Sequence, residues 1–85
     1  MDICKRLHAA KDDEANGILE YAKLKMLLTS EEHIDTIENI ISDEYRHLLE
    51  ILAMIKDMKC EGMPNEVTED KMKEIESIAI TNKDK

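Results

Sequence analysis

Glu14, Glu44 and His47 are the residues of this 85-residue chain whose types and spacing suit chemistry. Glu44 and His47 stand three apart, so a helix carries both on one side. Glu14 and Glu44 each interrupt an apolar stripe of helical period, where an unpaired charge is costly. Two carboxylates and an imidazole suit a hard or borderline divalent cation, iron or manganese, better than a soft-metal site. The plainer alternatives are carboxylates half-exposed at a helix edge and a histidine held by a structural hydrogen bond. A Glu-x-x-His pair arises easily by chance in a chain with 20 acidic residues and three histidines. The positions of the carboxylates in the apolar stripes are what raise it above chance.

The elements that must position these residues are helices. The first is expected from about Asp2 to about Leu28, with a stripe of Ile3, Leu7, Ala10, Glu14, Gly17, Tyr21, Leu24 and Leu28, flanked by Ile18 and Leu27. Gly17 is weak in helix propensity and offers close approach to a neighbour. Thr29, followed three residues later by Glu32, fits a capping box that opens the second helix. That helix is expected from about Ser30 to about Lys59. Its stripe is Ile34, Ile37, Ile41, Glu44, Leu48, Ile51, Ile55 and Met58, and His47 lies in a second inward row with Ile40 and Met54. Gly62 supplies a stop and Pro64 forbids continuation. A shorter third helix is expected from about Thr68 to about Thr81, with Val67, Met72, Ile75, Ile78 and Ala79 on its apolar face. The domain reading is a hairpin over 1–61, a turn over 62–67, a helix over 68–82 and a tail over 83–85.

A short link makes the first two helices an antiparallel hairpin. A turn centred on residues 29 and 30 places Glu14 at the height of about residue 45, between Glu44 and His47. The three polar residues therefore meet at one level. One hairpin then supplies half of a di-iron carboxylate set, in which two helices give one Glu each and two give Glu-x-x-His. A second copy about a two-fold axis would supply the rest. The fold class is all-α, an antiparallel hairpin plus a short third helix, dimerising into a four-helix bundle.

The formal net charge of −8 argues against nucleic acid, which needs a basic surface. No apolar run nears the roughly 20 residues of a membrane span. The start Met1-Asp2-Ile3-Cys4-Lys5-Arg6 lacks the apolar core of a signal peptide. Two cysteines, Cys4 and Cys60, are too few for a disulfide scaffold. They lie toward one end of the hairpin, which permits contact between them, but both are read as free thiols in a cytoplasmic protein. His8 and His33 are read as surface residues. Met26, Met54, Met58, Met63 and Met72 are read as core or rim fillers, Tyr45 as packing, and Asp12, Asp13 and Glu20 as a solvated acidic flank.

Glu14, Tyr21 and the Glu44-x-x-His47 pair resemble the ferritin-like superfamily. Glu14 followed seven residues later by Tyr21 is similar to the first helix of rubrerythrin-type proteins. The half-length chain, with 30 residues from Glu to Glu, most resembles the encapsulated ferritins. The resemblance covers roughly residues 7 to 60. It implies a ferroxidase whose di-iron site, held by Glu14, Glu44 and His47 with Tyr21 supporting, lies between two chains. It further implies a homodimer or ring-like homo-oligomer, enclosure in an encapsulin-type shell, and a role in iron storage. Asn16 departs from encapsulated relatives, which tend to carry an acid there, although Asp13 keeps one nearby. The alternatives are a peroxide-reducing di-iron protein and a non-catalytic helical oligomer whose polar layer fixes register.

Overall fold

The computed structural model describes residues 2–62 and 68–83. Three helices account for nearly all of them: α1 (Ile3–Leu27), α2 (Glu31–Asp57) and α3 (Glu69–Lys83). Asp2 caps α1, its carboxylate accepting from the Cys4 N–H at 3.0 Å and the Lys5 N–H at 3.4 Å. Leu28 leaves α1 in an extended conformation, φ −89° and ψ 143°, and three residues reach α2. The expected capping box is absent. Ser30, not Thr29, is the N-cap of α2, and its side chain makes no cap bond. Glu31 and Glu32 in the first turn complement the helix dipole instead.

The end of α2 also departs from expectation. Lys59 takes the left-handed conformation at φ 55°, and the Cys60 N–H bonds back to the Ile55 carbonyl at 2.8 Å. That closure resembles a Schellman turn, in which a left-handed residue satisfies the last carbonyls. Gly62 (φ 89°) lies beyond the stop rather than making it. Pro64, Met63 and Val67 fall outside the described residues. The Thr68 hydroxyl opens α3 by accepting from the Lys71 N–H at 3.2 Å.

α1 and α2 pack antiparallel, and α3 lies along one side of their seam. The main core is Ala15, Ile18, Ile41, Leu48 and Ile75, all fully buried, and Leu19, Ile37, Leu52, Met72 and Ile78 pack around it. Burying each branched side chain contributes about 1.5–3 kcal/mol. A smaller cluster of Leu7, Ile55 and Cys60 closes the end away from the turn. The body measures 44 × 22 × 19 Å.

α3 changes which face of α1 is inside. Leu7 is buried as expected, but the row continues through Lys11, Ala15 and Ile18 rather than the expected Ala10, Glu14 and Gly17. Glu14, Gly17 and Tyr21 are half-buried beside it, and Leu24 is exposed. On α2, Ile41, Leu48 and Ile55 are buried as expected, while Glu44 and Ile51 are half-buried. The row of Ile40, His47 and Met54 is not inward: His47 and Met54 are each 47 % exposed. Met26 and Met58 are exposed too, contrary to their reading as fillers, whereas Met72 packs on the core. Among the described residues, α3 covers one side of the seam.

Candidate metal centre

The hairpin brings Glu14 of α1 together with Glu44 and His47 of α2. A carboxylate oxygen from each Glu and a ring nitrogen of His47 all lie within 4.8 Å of one another. His47 Nδ1 stands 3.9 Å from Glu14 Oε1. Glu14 is 25 % exposed at the side chain and His47 47 %, so the group sits at the border of core and solvent. A shallow depression of about 320 Å³, lined by Glu14, His47, Glu50, Ile51 and Met54, opens over it.

Helix register explains the meeting. Glu44 and His47 are three apart on α2, and the turn at Leu28–Ser30 sets Glu14 level with them. Gly17, one turn beyond Glu14, leaves room for the second carboxylate. A Cβ built there would stand 3.7 Å from Glu44 Oε2. The close approach anticipated at Gly17 is thus made by a carboxylate rather than by a helix backbone.

Glu14 Oε2 is buried and finds no hydrogen-bond donor while both carboxylates are ionised. Two acceptor groups facing each other in a half-buried site need something positive between them. In the metal-free chain that is a proton. A hydrogen bond with Glu44, burial and the negative charges of Glu44 and Asp13 push the Glu14 carboxyl from 4.5 up to about 7, against the opposing pull of His47. A cation can take the place of the proton, and two oxygens with one nitrogen suit iron or manganese.

Tyr21 is partly buried and packs against the main core. Among the described residues its hydroxyl bonds to neither carboxylate. Tyr45 packs on the same core as expected, and burial, with the nearby Glu76, raises its phenol above the ordinary value. A larger hollow of about 460 Å³ lies between α2 and α3, lined by Ser42, Tyr45, Arg46, Leu49, Ala79 and Ile80. It has mostly apolar walls and lies apart from the carboxylates.

Two polar groups escape a reading of the sequence alone. Near the turn, Lys25 Nζ pairs with the buried Glu38 at 2.8 Å. At the opposite end, Cys4 and Cys60 form a disulfide with Cα atoms 5.2 Å apart, so the thiols expected to be free are joined. His8, expected at the surface, is buried beside them. Its Nε2 is 2.8 Å from the Cys60 carbonyl oxygen, and Lys11 Nζ is 3.1 Å from its Nδ1. Lys11 donates, so Nδ1 accepts and Nε2–H donates to Cys60. Lys11 also lies 3.4 Å from Asp12 Oδ1. The available signal was the hairpin itself, which sets Cys4 level with about residue 55, about a turn and a half from Cys60. His33 is exposed as expected, as are Asp13 and Glu20 of the acidic flank, whereas Asp12 is half-buried.

No described helix is long and apolar enough to cross a membrane. The chain matches no protein-family model, no curated protein and no solved structure.

Proposed function

We propose that this chain is a ferroxidase that takes Fe(II) as substrate at Glu14, Glu44 and His47, with a second copy completing each site. The observation that carries the reading is the cluster of three ligand atoms within 4.8 Å, with Glu14 Oε2 buried and without a donor. Three ligands are half of the six in a di-metal carboxylate bundle. They lie on the side of the hairpin that α3 leaves uncovered, beside the exposed Met54.

In this reading the two carboxylates would hold the metal and balance its charge. His47 would supply a ring nitrogen as the third ligand. Each Fe(II) gives up one electron to O2 or peroxide and leaves as Fe(III). The acidic chain, at −8, draws cations toward the site. The chain's own work is to hold the ligands in place and leave positions open.

The test is an iron count and a mass measurement on purified protein loaded with Fe(II) without oxygen, followed by oxygen. About one iron per chain, in a dimer or larger assembly, with Fe(III) appearing on aeration, is expected. Absence of bound iron after loading overturns the proposal. The hydrogen bond with Glu44 that helps push the Glu14 carboxyl up to about 7 favours a second reading, a metal-free polar layer that fixes how helices pair. That reading expects assembly without metal and no change on loading.

A further inference from the structure

The end of the hairpin opposite the turn carries a second chemistry, independent of the carboxylate cluster. We propose that the Cys4–Cys60 disulfide is an exchange site for small thiols, in which Cys4 is the sulfur attacked and Cys60 the buried thiol that re-forms the bond.

The two sulfurs differ in access. Cys60 is 2 % exposed and belongs to the small apolar cluster with Leu7 and Ile55. Cys4 is only partly buried, in the first turn of α1. An incoming thiolate therefore reaches Cys4 Sγ. The α1 N-terminus favours the Cys4 thiolate that leaves in the second step, when a further thiolate takes the mixed disulfide. Lys5, Arg6, Lys56 and Lys59, all exposed, flank the two cysteines in sequence and outnumber the neighbouring Asp2, Asp57 and Glu61.

Cys60 is held by more than its disulfide. Its N–H bonds to the Ile55 carbonyl at 2.8 Å, and its own carbonyl accepts from His8 Nε2 at 2.8 Å. Lys11, 2 % exposed, holds the His8 ring from the other side. His8 lies one turn after Cys4 on the same face of α1, so the imidazole ties the backbone of one cysteine to the helix that carries the other. Opening the disulfide leaves these bonds in place, and the thiol waits where the bond must re-form. Met58 supplies an acceptor, its carbonyl oxygen standing 3.7 Å from Cys60 Sγ.

The step balances simply. A thiolate R–S⁻ attacks Cys4 Sγ, forming Cys4–S–S–R, and Cys60 leaves as a thiolate that takes a proton from water. A second thiolate attacking the mixed disulfide releases R–S–S–R and leaves two thiols on the chain. In the reverse direction Cys60 attacks Cys4–S–S–R and expels R–S⁻.

The experiment treats the oxidised full chain with glutathione, quenches with acid and N-ethylmaleimide, and maps both cysteines by mass spectrometry. The expected result is glutathione on Cys4 with maleimide on Cys60, at least tenfold more abundant than the reverse pattern. Oxidised glutathione given to Cys60→Ser should leave a lasting adduct on Cys4. His8→Ala, which keeps both cysteines, should slow ring closure from the Cys4 adduct several-fold. Adduct chiefly on Cys60, or a disulfide that stays intact at every thiol concentration that preserves helicity, overturns the proposal. Mapping of the wild-type chain decides even where a variant does not fold.

Discussion

Glu44 Oε2 sits 3.7 Å from the point where a Cβ on Gly17 would stand, an ordinary contact distance. Gly17 thus makes room for a carboxylate without being crowded by it. Gly17→Ala should fit, and it removes the entropic weakness of a mid-helix glycine. Stability should rise by about 0.5–1 kcal/mol in urea unfolding, with metal binding retained. Gly17→Val presses branched methyls toward Glu44 and should lose metal affinity. Equal affinity in the Ala and Val variants would show that Gly17 does not govern the position of Glu44.

Stability of the metal-free chain should fall as pH rises. Glu14 titrates at about 7 in the fold against an ordinary 4.5, so the folded chain holds its proton more tightly than the unfolded one. The stabilisation is complete below about pH 4.5 and is lost as pH climbs to and through about 7. After discount for the solvent-exposed quarter of the side chain, the loss is about 2 kcal/mol. Urea titrations at pH 5 and pH 8 with a chelator present measure it. Glu44→Gln places a lasting N–H donor beside Glu14 and should flatten the profile.

His47→Ala separates metal binding from folding. The side chain is nearly half exposed, so its loss should change stability by no more than about 0.5 kcal/mol. Loss of a direct ligand should weaken iron binding by roughly a hundredfold or more, beyond the usual effect of losing a supporting group. Calorimetric titration of Fe(II) under nitrogen reads the affinity, and circular dichroism reads the fold. Affinity equal to wild type would remove His47 from the site.

Replacing both cysteines by serine releases a loop with a sequence separation of 56. Chain-entropy reasoning gives a loss of about 4 kcal/mol. Denaturant melts of the double variant and of the oxidised wild type measure the difference. A loss under about 1 kcal/mol would mean that the unfolded chain already keeps these ends close.

The helices and the meeting of Glu14 with Glu44 and His47 were legible because both follow from short-range rules: stripe spacing for the helices, turn position for the shared height. What was not legible depends on α3. Ile75 of α3 packs with Ala15 and Ile18, so the buried side of α1 runs through them rather than through Glu14 and Gly17, and His47 and Met54 lie in the open. Burial of His8 and Lys11 was hidden for a related reason. A small core takes in polar side chains where they can satisfy one another, and nothing in helical period marks which will do so. The disulfide needed a turn at Lys59 that brings Cys60 back toward α1, and a left-handed lysine has no sequence signature.

Bonded at one end by Cys4 and Cys60 and at the other by the peptide through Leu28–Ser30, the two long helices form a closed covalent ring, with α3 as its tail. A ring of this kind resists slippage. For α1 to slide one turn along α2, about 5.4 Å, both ends of the ring would have to give way together. Such a slide would carry Glu14 out of line with Glu44 and His47. The ring therefore acts as a gauge, holding the axial offset of the helices to less than the reach of a carboxylate. A protease that nicks the Leu28–Ser30 link would leave two fragments that run as one mass until a reductant is added.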